Sequence, residues 1–151
     1  MAMILNLLRT SPAPKVNPAR PLLPGSPPPS HLPLDPVVFL TVAIDSVAPL
    51  IRIRSLKGLA GGGAALELPN PLALRQRRRQ AIKWLLDVVG KKKSRGSGRS
   101  QFAHRFAEEV VAIVEGRSSV WDRRHAVHKQ GTGARANLNS PALVMAKRKT
   151  F

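Results

Sequence analysis

A chain of 151 residues holds one modest domain, and with 25 Lys and Arg against eight Asp and Glu it carries a formal charge of +17. A charge of that size repels itself unless a polyanion neutralises it, so RNA, DNA or an anionic membrane surface is the expected partner. Cysteine is absent, which excludes disulfides, Cys-ligated zinc and thiol catalysis, and no apolar run approaches the roughly 20 residues of a spanning helix.

Ten of the 14 prolines fall between Pro12 and Pro36. Such a stretch sustains neither helix nor ladder, so residues 1–34 are expected to be disordered. They contain no acid, carry Arg9, Lys15 and Arg20, and begin with an apolar MILNLLR that can make a short amphipathic turn. Two readings stay open for them, a plain tail and an organelle transit peptide. Order is expected from Asp35-Pro36, an N-cap residue followed by proline in the first turn, and the run VVFLTVAIDSVA then reads as a short buried helix ending near Pro49.

From Leu50 the period changes. Ile51, Ile53 and Ser55 alternate with Arg52, Arg54 and Leu56, and Ala65-Leu66-Glu67-Leu68 alternates again before Pro69. Gly58 and the triple Gly61-Gly62-Gly63 lie between, so the segment predicts a β-hairpin. The glycines read as turn chemistry, because a phosphate-cradling loop would need a following GK[ST]. Asn70-Pro71 repeats the cap signal and predicts a helix to about Val89, closed at Gly90. Leu74, Ala81, Ile82, Leu85, Val88 and Val89 form its apolar set, while Arg75, Arg79 and Lys83 share another face flanked by Arg77 and Arg78. The basic loop KKKSRGSGR follows, from Lys91 to Arg99. A helix from about Ser100 carries Phe102, Phe106, Val110, Ile113 and Val114 on one stripe and closes at Gly116. Ser118 or Ser119 can cap a last helix with Val120, Trp121 and Val127, weakened by the glycines of HKQGTGARAN after Lys129. Residues 137–151 are expected to be a basic tail ending in Lys147-Arg148-Lys149. About 90 to 110 residues should be ordered.

The cations fall into four groups: the first strand, the long helix, the loop and the C-terminal third. Between Arg75 and Arg105 there are 11 basic residues and one acid, whereas a solvated helix face normally mixes signs. Groups dispersed over several elements suit a surface wrapped by nucleic acid better than one groove-reading helix. Arg52, Arg54, Lys57, Arg75, Arg77, Arg78, Arg79, Lys83, Lys91, Lys92, Lys93, Arg95 and Arg99 are the candidate contacts. RNA is favoured over DNA because no zinc ligands, zipper or helix-turn-helix register is present, and two Trp, four Phe and no Tyr are too few for a stacking platform. His125 and His128, with Asp122 nearby, fall short of the ligand count of a metal site and sit among Arg123, Arg124 and Lys129. His104 is expected to pack beside Phe102 and Phe106. Glu108, Glu109 and Glu115 are expected to pair with Arg105 and relieve repulsion. No catalytic set, metal or cofactor is predicted, nor a small-molecule substrate.

The segment RIRSLKGLAGGGAALELPNPLALRQRRRQAIKWLLD resembles the hairpin and following helix of the small-subunit ribosomal protein seven family. The matching features are Arg52 and Arg54, Gly62-Gly63-Ala64, Leu68-Pro69, Arg77-Arg78-Arg79, Ala81 and Trp84-Leu85. RFAEEVVAIVEG resembles that family's next helix, and the stretch RGSGRSQFAHRFAEEVVAIVEGRSSVWDRRHAVHKQGTGARANLNS is similar to fungal mitochondrial members. The resemblance implies a mainly α fold, a helical bundle with a protruding β-hairpin. It also implies binding to the 3′ major domain of small-subunit rRNA, support of head assembly, neighbouring ribosomal proteins as partners, and a hairpin near exit-site tRNA. Carried over, Arg52, Arg54, Lys57, Arg75, Arg77, Arg78, Arg79 and Lys83 are rRNA contacts, and Gly61, Gly62, Gly63 and Ala64 form the hairpin tip. The family also has an N-terminal helix pair with a Gly-Lys-Lys segment; Pro-rich sequence stands there instead, so part of the bundle is expected to be missing. The division expected is residues 1–34, an rRNA-binding domain over 35–136, and the tail. The compartment implied is the mitochondrial matrix, with a cytoplasmic or other organellar ribosome as the alternative. The competing function is a nuclear or chromatin-associated DNA-binding basic protein. A cationic membrane-active peptide precursor fits poorly, because the cations do not lie opposite one long apolar face.

Overall fold

The computed structural model describes residues 1–58, 64–93, 98, 100–141 and 143, and among them are five α-helices and one antiparallel hairpin. In chain order the elements are α1 (Ala2–Arg9), α2 (Pro36–Val47), β1 (Ile51–Leu56), β2 (Leu66–Pro71), α3 (Leu74–Lys91), α4 (Gln101–Val114) and α5 (Val120–Gly133). Short 3₁₀ turns lie at Leu32–Leu34 and Ala134–Asn139. The expected mainly helical fold with one hairpin is what the chain adopts.

Helix α4 is the packing centre. Its stripe of Phe106, Val110, Ile113 and Val114 is buried against Leu8 of α1, Phe39 and Val47 of α2, Leu85 and Val89 of α3, and Val120 of α5. Each such side chain contributes about 1.5–3 kcal/mol by leaving water. Phe102, one turn earlier on the expected stripe, lies beyond the bundle edge and is exposed, its ring 5.9 Å from that of Phe106. Leu74 and Ile82 of α3 are likewise exposed, since only Ala81, Leu85 and Val89 of that helix face α4 squarely.

Helix α4 ends in a Schellman closure at Gly116, whose φ of 71° lies in the left-handed region. The Arg117 N–H donates to the carbonyl of Ala112 (2.8 Å) and the Gly116 N–H to that of Ile113 (3.0 Å). The Trp121 Nε1–H then donates to the Ile113 carbonyl (2.8 Å), so the buried indole ties α5 to the end of α4.

Disorder expected for residues 1–34 is replaced by a packed segment. Leu8 and Leu32 are fully buried, and the stretch between them crosses the bundle as a strap. Proline forbids a ladder but not side-chain anchoring. Arg20 donates to the Gly116 carbonyl (2.9 Å) and to Asp122 (2.6 Å), and the Leu23 N–H donates to Ser46 Oγ (3.0 Å). Beyond it Asp35 caps α2 as expected, accepting from the N–H groups of Val37 (3.0 Å) and Val38 (3.1 Å).

The hairpin pairs Ile51 with Pro71 through Leu56 with Leu66. Asn70-Pro71, expected to cap a helix, therefore ends the strand instead. The ladder runs one step further, with the Leu72 N–H donating to the Leu50 carbonyl (3.0 Å). Helix α3 starts three residues later than Pro71, where Gln76 Oε1 reaches back to accept from the Ala73 N–H (3.3 Å). On one side of the sheet Leu66 and Leu68 pack with Leu56 and Leu143. On the other, β1 lies against α5.

Helix α5 continues four residues past Lys129 despite its glycines. Gly131 explains why: a Cβ there would stand 2.0 Å from Ile51 Cδ1, so glycine lets the helix pass close over the strand. Gly131→Leu is expected to cost about 1–3 kcal/mol by overpacking. Gly131→Ala should be near neutral, because Ile51 Cδ1 can swing aside and alanine gains about 1 kcal/mol of helix preference. Thermal unfolding in wild-type and Ile51→Val backgrounds checks this, and a Gly131→Leu chain as stable as wild type would refute the close approach.

Candidate nucleic-acid interface

Strand alternation turns Ile51 and Ile53 toward α5 and leaves Arg52 and Arg54 exposed, with exposed Lys57 after them. On α3, the four-residue spacing of Arg75, Arg79 and Lys83 keeps all three in solvent on one face, opposite buried Ala81 and Leu85. Lys91 and Lys93 are exposed at the end of that helix. Ala64 is exposed beside the hairpin tip. Gly61, Gly62, Gly63, Arg95 and Arg99 lie outside the described residues.

Three expected contacts are placed otherwise. Arg78 forms a two-pronged pair with Asp45, from Nε (2.7 Å) and Nη2 (2.6 Å), joining α3 to α2. That carboxylate holds the guanidinium still more firmly protonated than usual. Lys92 Nζ meets Glu109 at 2.6 Å, and the Glu109 side chain is only 3% exposed. Ser118 Oγ donates to the same carboxylate (2.5 Å), so Glu109, from the middle of α4, ties the end of α3 and the approach to α5 together. Arg77 is half-buried in a cleft beside α5.

Three further acids are similarly engaged. Glu115 accepts from Arg117, Asp87 from Arg123 (3.1 Å), and Glu67 Oε2 from Gln130 (3.0 Å). The expected pairing of Glu109 and Glu115 with Arg105 does not form, because Arg105 instead donates to the Lys92 carbonyl (3.0 Å). His104 is exposed rather than packed, since it points away from the α4 stripe. His128 accepts from the Leu50 N–H through Nε2 (3.0 Å) and so anchors the hairpin base to α5. Among the described residues no three His, Asp or Glu side chains cluster as metal ligands, and no helix is long and apolar enough to cross a membrane.

Sequence reasoning left Arg124 off the contact set. Its guanidinium lies 5.8 Å from the Trp121 ring, in the same cleft as Arg77. The three-residue spacing of Trp121 and Arg124 on one helix was the available signal.

The charges are segregated by engagement: most carboxylates are taken up in pairs and caps, with Glu109 buried and Asp45 partly so, while the hairpin cations and Arg75, Arg79 and Lys83 of α3 face solvent, unpaired among the described residues. Residues 29–135 match the family model of ribosomal protein S7p/S5e. The chain belongs to the ribosomal protein S7p/S5e family. It is 71% identical over 143 residues to the small ribosomal subunit protein uS7m of Neurospora crassa, covering 95% of this chain and 46% of that protein. It is 30% identical over 102 residues to uS7 of Gluconacetobacter diazotrophicus and 28% identical to uS7 of Ectopseudomonas mendocina, covering 68% of this chain and 60% of each relative. The resemblance to the fungal mitochondrial branch of the family is thereby borne out. The chain spans between about half and three-fifths of the length of these relatives.

Two outcomes follow from this placement. Lys92→Met should destabilise the fold by about 2–3 kcal/mol, below the full penalty for an orphaned buried charge because Lys92 is 32% exposed. Lys91→Met and Lys93→Met should stay within about 0.5 kcal/mol of wild type. Urea denaturation separates these, and equal effects at the three positions would contradict the assignment.

The second concerns pH. Burial first, then the charges of Arg124, His125 and Arg77, lower the pKa of His128 from its ordinary value of about 6.5. The unfolded chain therefore protonates His128 before the folded one does. Stability is full above about pH 6.5 and falls as pH drops toward the lower folded-state value. Denaturation midpoints at pH 7.5 and 5.5 should differ less in His128→Gln than in wild type; an unchanged difference would exclude His128 as the cause.

Proposed function

We propose that this chain is a structural, non-enzymatic constituent of the mitochondrial small ribosomal subunit that holds rRNA of the subunit head, in the 3′ major domain, and supports head assembly. The observation that carries the reading is the segregation of charge in a member of this family. Seven of the eight carboxylates are engaged by the chain's own caps and pairs, Glu108 being the exception, whereas, among the described residues, Arg52, Arg54, Lys57, Arg75, Arg79, Lys83, Lys91 and Lys93 stand free on several elements. Phosphate oxygens meeting that surface would release counterions, and the neutral strand and helix backbones would keep the cations in fixed register. Arg95 and Arg99 extend the same basic run in sequence, and glycines in the segment joining the two strands would let the hairpin approach RNA or an exit-site tRNA closely. Neighbouring small-subunit proteins are the remaining partners. The high identity to the Neurospora uS7m supports a mitochondrial matrix location.

Sucrose-gradient sedimentation of a mitochondrial lysate containing the tagged chain tests the reading. Co-migration with the small subunit, shifting at magnesium levels that join subunits, is expected. A soluble full-length chain that never enters those fractions would overturn the proposal and favour a free DNA-binding role. On a transcript of the 3′ major domain, eight neutralised phosphates predict a slope of log affinity against log salt of about −6 to −7. Changing Arg75, Arg79 and Lys83 together to Gln should make that slope shallower by about 2 to 3. Filter binding across a salt series measures it, and an unchanged slope would remove the α3 face from the interface.

A further inference from the structure

A cleft of about 690 Å³ lies between the Pro-rich strap, the end of α2, α3 and α5, away from the exposed α3 face. Arg77 and Arg124 both line it, and the Nε atom of each is sealed from solvent with no hydrogen-bond partner. Two half-buried guanidiniums lining one cleft repel each other, and an anion held between them would relieve that repulsion. Burial and the charge of Arg77 weaken the hold of Arg124 on its proton.

No carboxylate side chain of the chain is left to join them. All eight acids fall among the described residues. The two that reach this cleft are taken: Asp45 by Arg78 and Asp122 by Arg20. Glu67, Asp87, Glu109 and Glu115 are bound elsewhere, Asp35 caps α2, and Glu108 lines the separate cleft beside α1. An anion that joins them would therefore come from outside. Guanidinium forks match phosphate oxygens, and the volume falls within the roughly 300–1,000 Å³ of small-ligand sites, well beyond a bare phosphate. The lining offers both kinds of surface a nucleotide needs, cationic at Arg77 and Arg124 and apolar at Pro21 and Leu22 of the strap, with Asp45 and Asp122 neutralised by Arg78 and Arg20.

We infer that this cleft seats one nucleotide of bound RNA, with its phosphate between the guanidiniums of Arg77 and Arg124 and its sugar and base against the strap. The inference rests on the RNA-binding reading above and adds a recessed, single-nucleotide site to an otherwise surface-spread interface. Arg124 covers the Trp121 ring, so the site works by charge and shape rather than by stacking on that indole.

Trp121 reports on the site directly. In a Trp84→Phe version of the full chain it is the remaining tryptophan. Titration with a 5′-nucleoside monophosphate should change its emission saturably, at concentrations at which inorganic phosphate has a much smaller effect. Prior addition of the 3′ major-domain transcript should abolish the change. Arg77→Gln and Arg124→Gln should each weaken the mononucleotide at least tenfold, and Arg77→Lys should be intermediate because it keeps charge but loses the fork. The competition needs no substituted arginine, so it holds whether or not those variants fold. A signal that RNA does not displace would make the ligand a free nucleotide and overturn the proposal. No saturable signal, with transcript binding and its salt slope intact, would overturn this site and leave the general RNA reading standing. Absence of transcript binding by the unmodified chain would overturn both.

Discussion

Electrostatic self-repulsion is the constraint on which the fold depends. With 25 cations and eight carboxylates, attraction must be placed where separate elements would otherwise drift apart. Asp45 joins α2 to α3, Asp87 joins α3 to α5, Asp122 joins α5 to the strap, and Glu67 joins the hairpin to α5. Glu109 is the most consequential, because one buried carboxylate gathers Lys92 and Ser118 from two sides. A surface designed for stability alone would scatter acids among the exposed lysines and arginines. Here most of the acids are spent on joins between elements and the hairpin and α3 are left positive, the distribution expected of a protein completed by a polyanion.

Packing takes the same form. Helix α4 offers a broad apolar stripe, and α1, α2 and α3 close around it. The hairpin has no such stripe of its own, and a lone two-stranded ribbon is marginal in water. It is held at both faces, by α5 across Gly131 and by Leu143 on Leu66 and Leu68, with His128 fixing the entry to β1. Its base is thus rigidly oriented while Arg52, Arg54 and Lys57 stay free.

Features with a local cause were legible in the residues. Asp35-Pro36, the alternation around Ile51 and Ile53, the α4 stripe and the closure at Gly116 each follow from a few neighbouring side chains. Features set by distant partners were not. Nothing near Arg78 or Lys92 in sequence says that Asp45 or Glu109 will claim them, so both read as free cations. Gly131 read as a helix breaker because the strand it accommodates lies 80 positions away. Asn70-Pro71 carried a sound cap signal that a longer ladder overrode. The strap was missed for the same reason: proline content describes what a segment cannot do alone, and its anchors lie on other elements.

The strap has a consequence for the order of events during synthesis. Its anchor Arg20 finds acceptors 96 to 102 residues downstream, at Gly116, Ser118 and Asp122. Contacts of such high sequence separation form slowly and only after loop closure. A chain emerging at about 5–20 residues per second leaves Arg20 unanchored for several seconds or more. Throughout that interval Leu8 and Leu32 have no finished core to enter, so the strap settles only after the α4–α5 turn has formed. Until α5 is made, the apolar side chains that the strap will bury stay open to water.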